Sequence, residues 1–307
     1  MDLSSINDWL QASIRLAAPL MLTSVGAVYI ERTGIVNIGM EGMMLAGALA
    51  AVAASILTEN LIIASICAMV VGGLLGLLHA FLTVSRRASH LISGLAINIL
   101  AIGLTNIGYA RLFQTERVRA TTYPVLVPTE LHDVPILGPL IFAQPVIVWI
   151  ALILPVVFGW ILYRTSWGLN IRATGEHPRA VASAGLSVIL LKYVGVILSG
   201  VFAGLGGSAL ALAELGYFAP NMTAGRAFIV LAAVIVGRWN PILVAAVCVL
   251  FGAADALQLR FQTFGSAIPY QFAVMAPYLL TVAALAGFVG RSAAPKTIGK
   301  PYDPESF

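Results

Sequence analysis

Polar side chains set inside long apolar runs are the first place to look for chemistry in this chain, whose 307 residues are 60% apolar and 10% charged. A polar group in a low-dielectric segment is costly unless it has a partner or a ligand. Three sets stand out. Asn37 and Glu41 are four residues apart, on one face if the segment is helical, with Met44 and Ala48 continuing that face. Asn98, Thr105, Asn106 and Tyr109 fall in a second apolar run, and Asp255, Gln258 and Gln262 in a third, with Asp255 in the middle of FGAADALQL. Such amides and hydroxyls can hydrogen-bond a neutral polar solute without capturing a charge. Three stripes on separate helices predict one central polar surface, although an interhelical hydrogen bond explains any single stripe as well as contact with a solute does.

The other polar and reactive groups point away from catalysis. No His-x-x-His or Cys-x-x-Cys cluster offers a metal site, and no Ser-centred elbow is present. Cys67 and Cys248 both lie in apolar runs and read as small buried residues rather than a disulfide framework. GRSAAPKT near the C-terminus has the outline of a phosphate-binding loop, but Pro295 replaces the second glycine. Proline has no N–H for a phosphate and cannot take a positive φ, so no ATPase site is expected in this chain. His79 is expected to pack between helices, Lys192 to snorkel toward headgroups, and Glu214 and Tyr217 to stand at the outer end of a helix in reach of solvent or a partner.

The elements that hold these residues must be membrane helices. A soluble fold of this length needs more charge than 17 Lys+Arg and 13 Asp+Glu provide, and mean hydropathy is +0.95. The glycines follow no collagen-like period, and a net charge of +4 from scattered residues gives no nucleic-acid signature. Runs near 12–30, 35–57, 61–84, 89–113, 144–163, 188–213, 226–238, 240–258 and 269–290 suit spanning helices of about 20 residues. The expected fold class is therefore all-α, a polytopic membrane helix bundle with about nine transmembrane segments (range about eight to ten). The run at 226–238 is short and reads as a half-helix buried against neighbours.

Most basic residues fall in loops on one side, which places the N-terminus outside and the C-terminus in the cytoplasm. The N-terminus has no basic n-region, so the first apolar segment is expected to stay in place. One transmembrane domain then occupies 1–307, with an external Pro-rich loop at 112–143, a cytoplasmic loop at 164–187 and a cytoplasmic tail at 291–307. Gly72, Gly73 and Gly76 in one run resemble Gly200, Gly204, Gly206 and Gly207 in another. That pattern fits either backbone-to-backbone packing or a duplicated transporter half.

The cytoplasmic loop reads RATGEHPRAVASAGLS. Pro178 suits the first position of a short helix and Gly185 its end, with Ala180, Ala182 and Ala184 leaving little bulk between them. Such a helix can enter a groove on another protein. The loop resembles the ATPase-coupling segment of permeases of bacterial ABC importers in the ribose, nucleoside and branched-chain amino-acid group, through Gly175, Glu176, Pro178, Ala180, Ala184 and Gly185, with His177 where Asn is more familiar. ERTGIVNIGMEGMMLAGALAA and GRAFIVLAAVIVGRWNPILVAAVCVLFGAADALQLR are similar to nucleoside and simple-sugar permeases, as are MAPYLLTVAALAG and PKTIGKPY. The resemblance covers nearly the whole chain and is closest to the nucleoside branch.

That resemblance implies a permease subunit in a bacterial cytoplasmic (inner) membrane that is not itself an enzyme. It implies one or more ABC ATPase subunits carrying ATP and Mg, a second permease, identical or homologous, and an extracytoplasmic substrate-binding protein. The membrane lipid surrounds it, and no cofactor, metal or nucleic acid is expected on this chain. The translocation path for nucleosides or simple sugars would be drawn from Asn37, Glu41, Asn98, Thr105, Asn106, Asp255 and Gln258. The competing readings are an ion-coupled secondary transporter working through Glu41 and Asp255, and a permease for branched-chain amino acids.

Overall fold

A computed structural model describes residues 3–114, 117–125, 142–263 and 294–302, with positions 275, 279, 282–283 and 286. Among the described residues ten helices follow one another: α1 (Leu3–Arg32), α2 (Met40–Thr58), α3 (Leu61–Ala80), α4 (His90–Phe113), α5 (Val146–Arg164), α6 (Ser166–Glu176), α7 (Pro178–Ser183), α8 (Val188–Ala209), α9 (Arg226–Val236) and α10 (Pro241–Thr263). Widened π-type turns extend α3 through Phe81–Ser85 and α8 through Leu210–Leu215. Among the described residues the only extended pairing is an isolated bridge between Val125 and Pro145.

Among the described residues seven helices are long and apolar enough to cross a membrane: α1, α2, α3, α4, α5, α8 and α10, with the π turns included in α3 and α8. α9, the run that reads as too short, has 11 residues. The expected segment at 269–290 lies, apart from a few isolated positions, outside the described residues.

Burial sorts the helices into layers. The most apolar windows of α1, α2 and α8 are 89%, 72% and 61% buried, against 28–33% for α3, α4, α5 and α10. The first three form the inner layer, and the outer helices turn Leu, Ile and Val side chains such as Ile62, Leu74, Ile99, Val156 and Leu250 outward, as a lipid-facing surface requires.

Gly72 and Gly76 of α3 meet Gly200 and Gly204 of α8, while Gly206 and Gly207 pack against Pro19 and Thr23 of α1 and Met44 and Ala48 of α2. A Cβ at Gly72 of α3 would overlap the Gly200 carbonyl of α8, one at Gly200 would overlap the Gly72 carbonyl, and one at Gly204 would overlap Ala68 of α3. Backbone-to-backbone packing thus accounts for both sets. Small residues buy this approach where lipid supplies no hydrophobic drive between helices.

Within the Pro-rich loop, residues 117–125 fold back as irregular chain. Ala120 and Tyr123 donate backbone N–H bonds to Gly216 and Leu212 beyond α8, and the Tyr123 hydroxyl lies 2.7 Å from Ser65 and 3.1 Å from Ser208. Burial raises the Tyr123 phenol above its usual range, which keeps it neutral as a hydrogen-bonding group.

Candidate functional site

Two regions can do work: the interior, where the polar residues of the apolar runs lie, and the exposed loop formed by α6 and α7. In the interior the first correction concerns Asn37. It is not on α2, which begins only at Met40, so the four-residue spacing to Glu41 is not a helical face. Residues 35–37 carry no regular structure, and Asn37 is fully buried. Its amide donates to Ser199 Oγ at 2.8 Å near the middle of α8, and to Met43 Sδ at 3.4 Å. The chain therefore runs from the end of α1 back into the bundle before α2 starts.

A helix that begins inside the bundle leaves N–H groups with no water to accept them. Two polar residues meet that need. Asn98 of α4 accepts from Gly42 N at 2.8 Å and donates to the Ile38 carbonyl at 3.1 Å, closing the start of α2. Glu41 accepts from Gly225 N at 2.7 Å and Ala227 N at 2.9 Å, closing the start of α9. A carboxylate at the positive end of a helix dipole is also favoured electrostatically. Just beyond the other end of α9, the Trp239 indole N–H donates to buried Glu31 at 2.5 Å.

The stripes consequently do not form one polar surface. Thr105 is buried and bonds the carbonyls of Ala101 and Ile102 on its own helix, whereas Asn106, the next residue round α4, is exposed. His79 packs between helices as expected, 2.9 Å from Ser93 Oγ. Lys192 does not snorkel: it is 2% exposed and donates to the Thr33 carbonyl at 2.7 Å, holding the α1–α2 connection. Glu214 is not a solvent-facing group either, since its side chain is 8% exposed and lies 3.5 Å from Arg226.

Asp255 and Gln258 behave differently from the rest. With Arg226, Met222, Ile229 and Leu16 they line a cavity of about 420 Å³ between α1, α9 and α10. A second cavity of about 450 Å³ lies beside Arg15, Tyr123 and Glu214. Both are the size of small-molecule sites. Gln262 lies outside the residues whose side chains are described. Among the described residues no group of three His, Cys, Asp or Glu side chains is arranged to hold a metal.

At the loop, Pro178 is the first residue of α7, and Gly185 follows its end at φ +78°, a left-handed turn suited to glycine. Val181 is buried at 4% and anchors the helix, while Ala180, Ala184 and Gly185 face outward. No atom comes within 4 Å of where a Cβ on Gly185 would stand. The result is a small-residue knob on a fixed base.

Gly175 sits against the end of α1, where a Cβ would overlap the Arg32 carbonyl, and Glu176 beside it is half-buried. A feature that sequence reasoning missed holds this base. Thr297 donates to the Gly175 carbonyl from its N–H at 3.0 Å and its hydroxyl at 2.7 Å, and Gly299 N donates to Gly34 O at 3.0 Å. Lys296 Nζ lies 3.3 Å from His177 Nε2. The PKT of the rejected phosphate loop is thus a clasp that ties the loop to the α1–α2 connection.

Residues 10–290 match the family described as branched-chain amino acid transport system / permease component. The chain is 38% identical over 303 residues to the guanosine ABC transporter permease protein NupQ of Bacillus subtilis (strain 168), covering 95% of each. It is 35% identical over 301 residues to the nucleoside ABC transporter permease protein NupC of Lactococcus lactis subsp. cremoris (strain MG1363), covering 93% of each. To a second protein of the same Bacillus strain, the guanosine ABC transporter permease protein NupP, it is 27% identical over 255 residues, 78% of this chain and 71% of that one.

Proposed function

We propose that this chain, which belongs to the branched-chain amino acid transport system permease-component family and is a permease subunit of an ABC transporter, forms part of an ATP-driven import path for nucleosides. The observation that carries the reading is the identity of 35–38% over nearly the full length to permeases named for guanosine and nucleoside transport. The interior supports it. A cavity walled by apolar side chains and offering a carboxylate, an amide and a guanidinium suits a neutral solute with a flat apolar face and many hydrogen-bonding groups.

In this reading the loop at 164–187 faces the cytoplasm and α7 is the coupling helix. Ala180, Ala184 and Gly185 enter the groove of an ATPase subunit, while Gly175, Glu176 and Pro178 fix its base. The clasp through Thr297 passes any displacement of that base to the α1–α2 connection, and so to the buried starts of α2 and α9. ATP and Mg belong to the partner ATPase, and a substrate-binding protein delivers the solute at the opposite face. Two guanosine permease proteins in one organism, one more similar to this chain than the other, favour a paired permease that is a paralogue rather than a copy. ATP can drive import only because the ATPase binds one conformation of the pair more tightly than the other.

The test is uptake by bacteria lacking the gene and by the same strain with it restored, using radiolabelled guanosine, cytidine, ribose and leucine. Restored nucleoside uptake alone supports the reading. Restored leucine uptake alone would assign the chain to amino acids instead.

A further inference from the structure

The two cavities meet at one ion pair. Glu214, on the widened turn after α8, lines the 450 Å³ cavity with Arg15, Thr122 and Tyr123. Arg226, the first residue of α9, lines the 420 Å³ cavity with Asp255 and Gln258. Leu215 borders both. The Glu214–Arg226 pair, 3.5 Å apart, thus stands at the partition.

The pair is incomplete. Glu214 has more than nine-tenths of its side chain buried, yet Oε1 has no hydrogen-bond partner, and neither does the buried Nε of Arg15 across the same cavity. A buried carboxylate oxygen left open is costly, and its natural complement is a ligand donor. The charges select the kind of donor. Arg15 and Arg226 on either side disfavour a cation, while Glu214 and Asp255 disfavour an anion. What fits is a neutral molecule that offers two hydroxyl protons to one carboxylate. A cis-diol does this, and an acidic side chain on ribose hydroxyls is an established solution in dinucleotide-binding folds.

We propose that Glu214 reads the ribose 2′,3′-diol of a nucleoside at the partition between the two cavities, with Arg226 exchanging Glu214 for Asp255 as its counter-charge while the sugar is held. This rests on the nucleoside reading above and adds to it the residue that separates ribonucleosides from 2′-deoxyribonucleosides.

The test is ATP-dependent uptake of guanosine and 2′-deoxyguanosine by proteoliposomes holding the complete importer. Wild type is compared with Glu214→Gln under the same binding protein, whose own preference cancels in the comparison. The Gln variant is expected to lower guanosine uptake at least about tenfold, the size of losing a charge-assisted hydrogen bond, and 2′-deoxyguanosine uptake, which keeps only the 3′-hydroxyl bond, by about threefold or less. An equal fall for both substrates, or an unchanged ratio, would overturn the proposal. If the Gln variant does not assemble, Glu214→Asp decides. A fall of about threefold or more in the guanosine preference supports the proposal and an unchanged preference overturns it. Wild type that imports neither nucleoside would contradict the nucleoside reading itself, before any variant is compared.

Discussion

At the residue scale, the interior polar groups divide by what they touch. Glu41 and Asn98 bond backbone N–H groups at the starts of α9 and α2, so they serve the fold first. Replacing either by an apolar residue orphans buried donors, at a cost of about 1–3 kcal/mol each. Glu41→Ala and Asn98→Leu are therefore expected to lower the melting temperature of the detergent-purified protein along with transport. Gln258, which lines a cavity, is expected to behave oppositely: Gln258→Ala should change the substrate KM by about threefold or more with no shift in melting. Thermal unfolding followed by size-exclusion fluorescence, beside uptake kinetics, separates the two classes. The sequence reveals that these residues need partners, because charge and amides are conspicuous in apolar runs. It does not reveal which partner, since Glu41 and Ala227 are brought together only by tertiary packing. Lys192 shows the same limit: its position in an apolar run suits a snorkelling side chain equally well until the Thr33 carbonyl is placed beside it.

At the element scale, helix contact through bare backbone leaves no room for side chains. Gly204→Val is expected to prevent stable accumulation of the protein in membranes, read by immunoblot, because Cβ there meets Ala68. Ala180→Arg lies on the exposed face of α7 and should leave accumulation unchanged while abolishing substrate-stimulated ATP hydrolysis by the complete importer. Normal stimulation in that variant would remove α7 from the coupling role. Thr297→Val loses the hydroxyl bond to Gly175 but keeps the N–H bond, so a partial loss of stimulation of about fivefold is expected, the size of one hydrogen bond. Hydropathy makes the long helices visible, and Pro178 with Gly185 marks α7. The delayed start of α2 escapes notice because residues 35–39 are as apolar as the helix that follows. The clasp escapes notice because nothing in PKT specifies a partner more than a hundred residues away in the chain.

At the scale of the whole molecule, an inner layer of α1, α2 and α8 holds two interrupted elements, and a loop helix is tied to the base of that layer. Interrupted helices with capped ends are the usual means of bringing irregular backbone to a solute path. In the proposed reading, such an arrangement converts an ATPase movement at α7 into a change around the cavities, with the energy supplied by the partner ATPase. Uptake of nucleosides through this chain is expected to depend on ATP hydrolysis by a partner. The most direct measurement is uptake of radiolabelled guanosine into proteoliposomes holding this chain, its partner permease, the ATPase and the binding protein. The ATPase is used either active or with its catalytic glutamate replaced. Accumulation that needs ATP at the ATPase face and stops with the inactive ATPase is the expected result. Accumulation driven by a proton or sodium gradient without ATP would contradict the account and make this chain a secondary transporter.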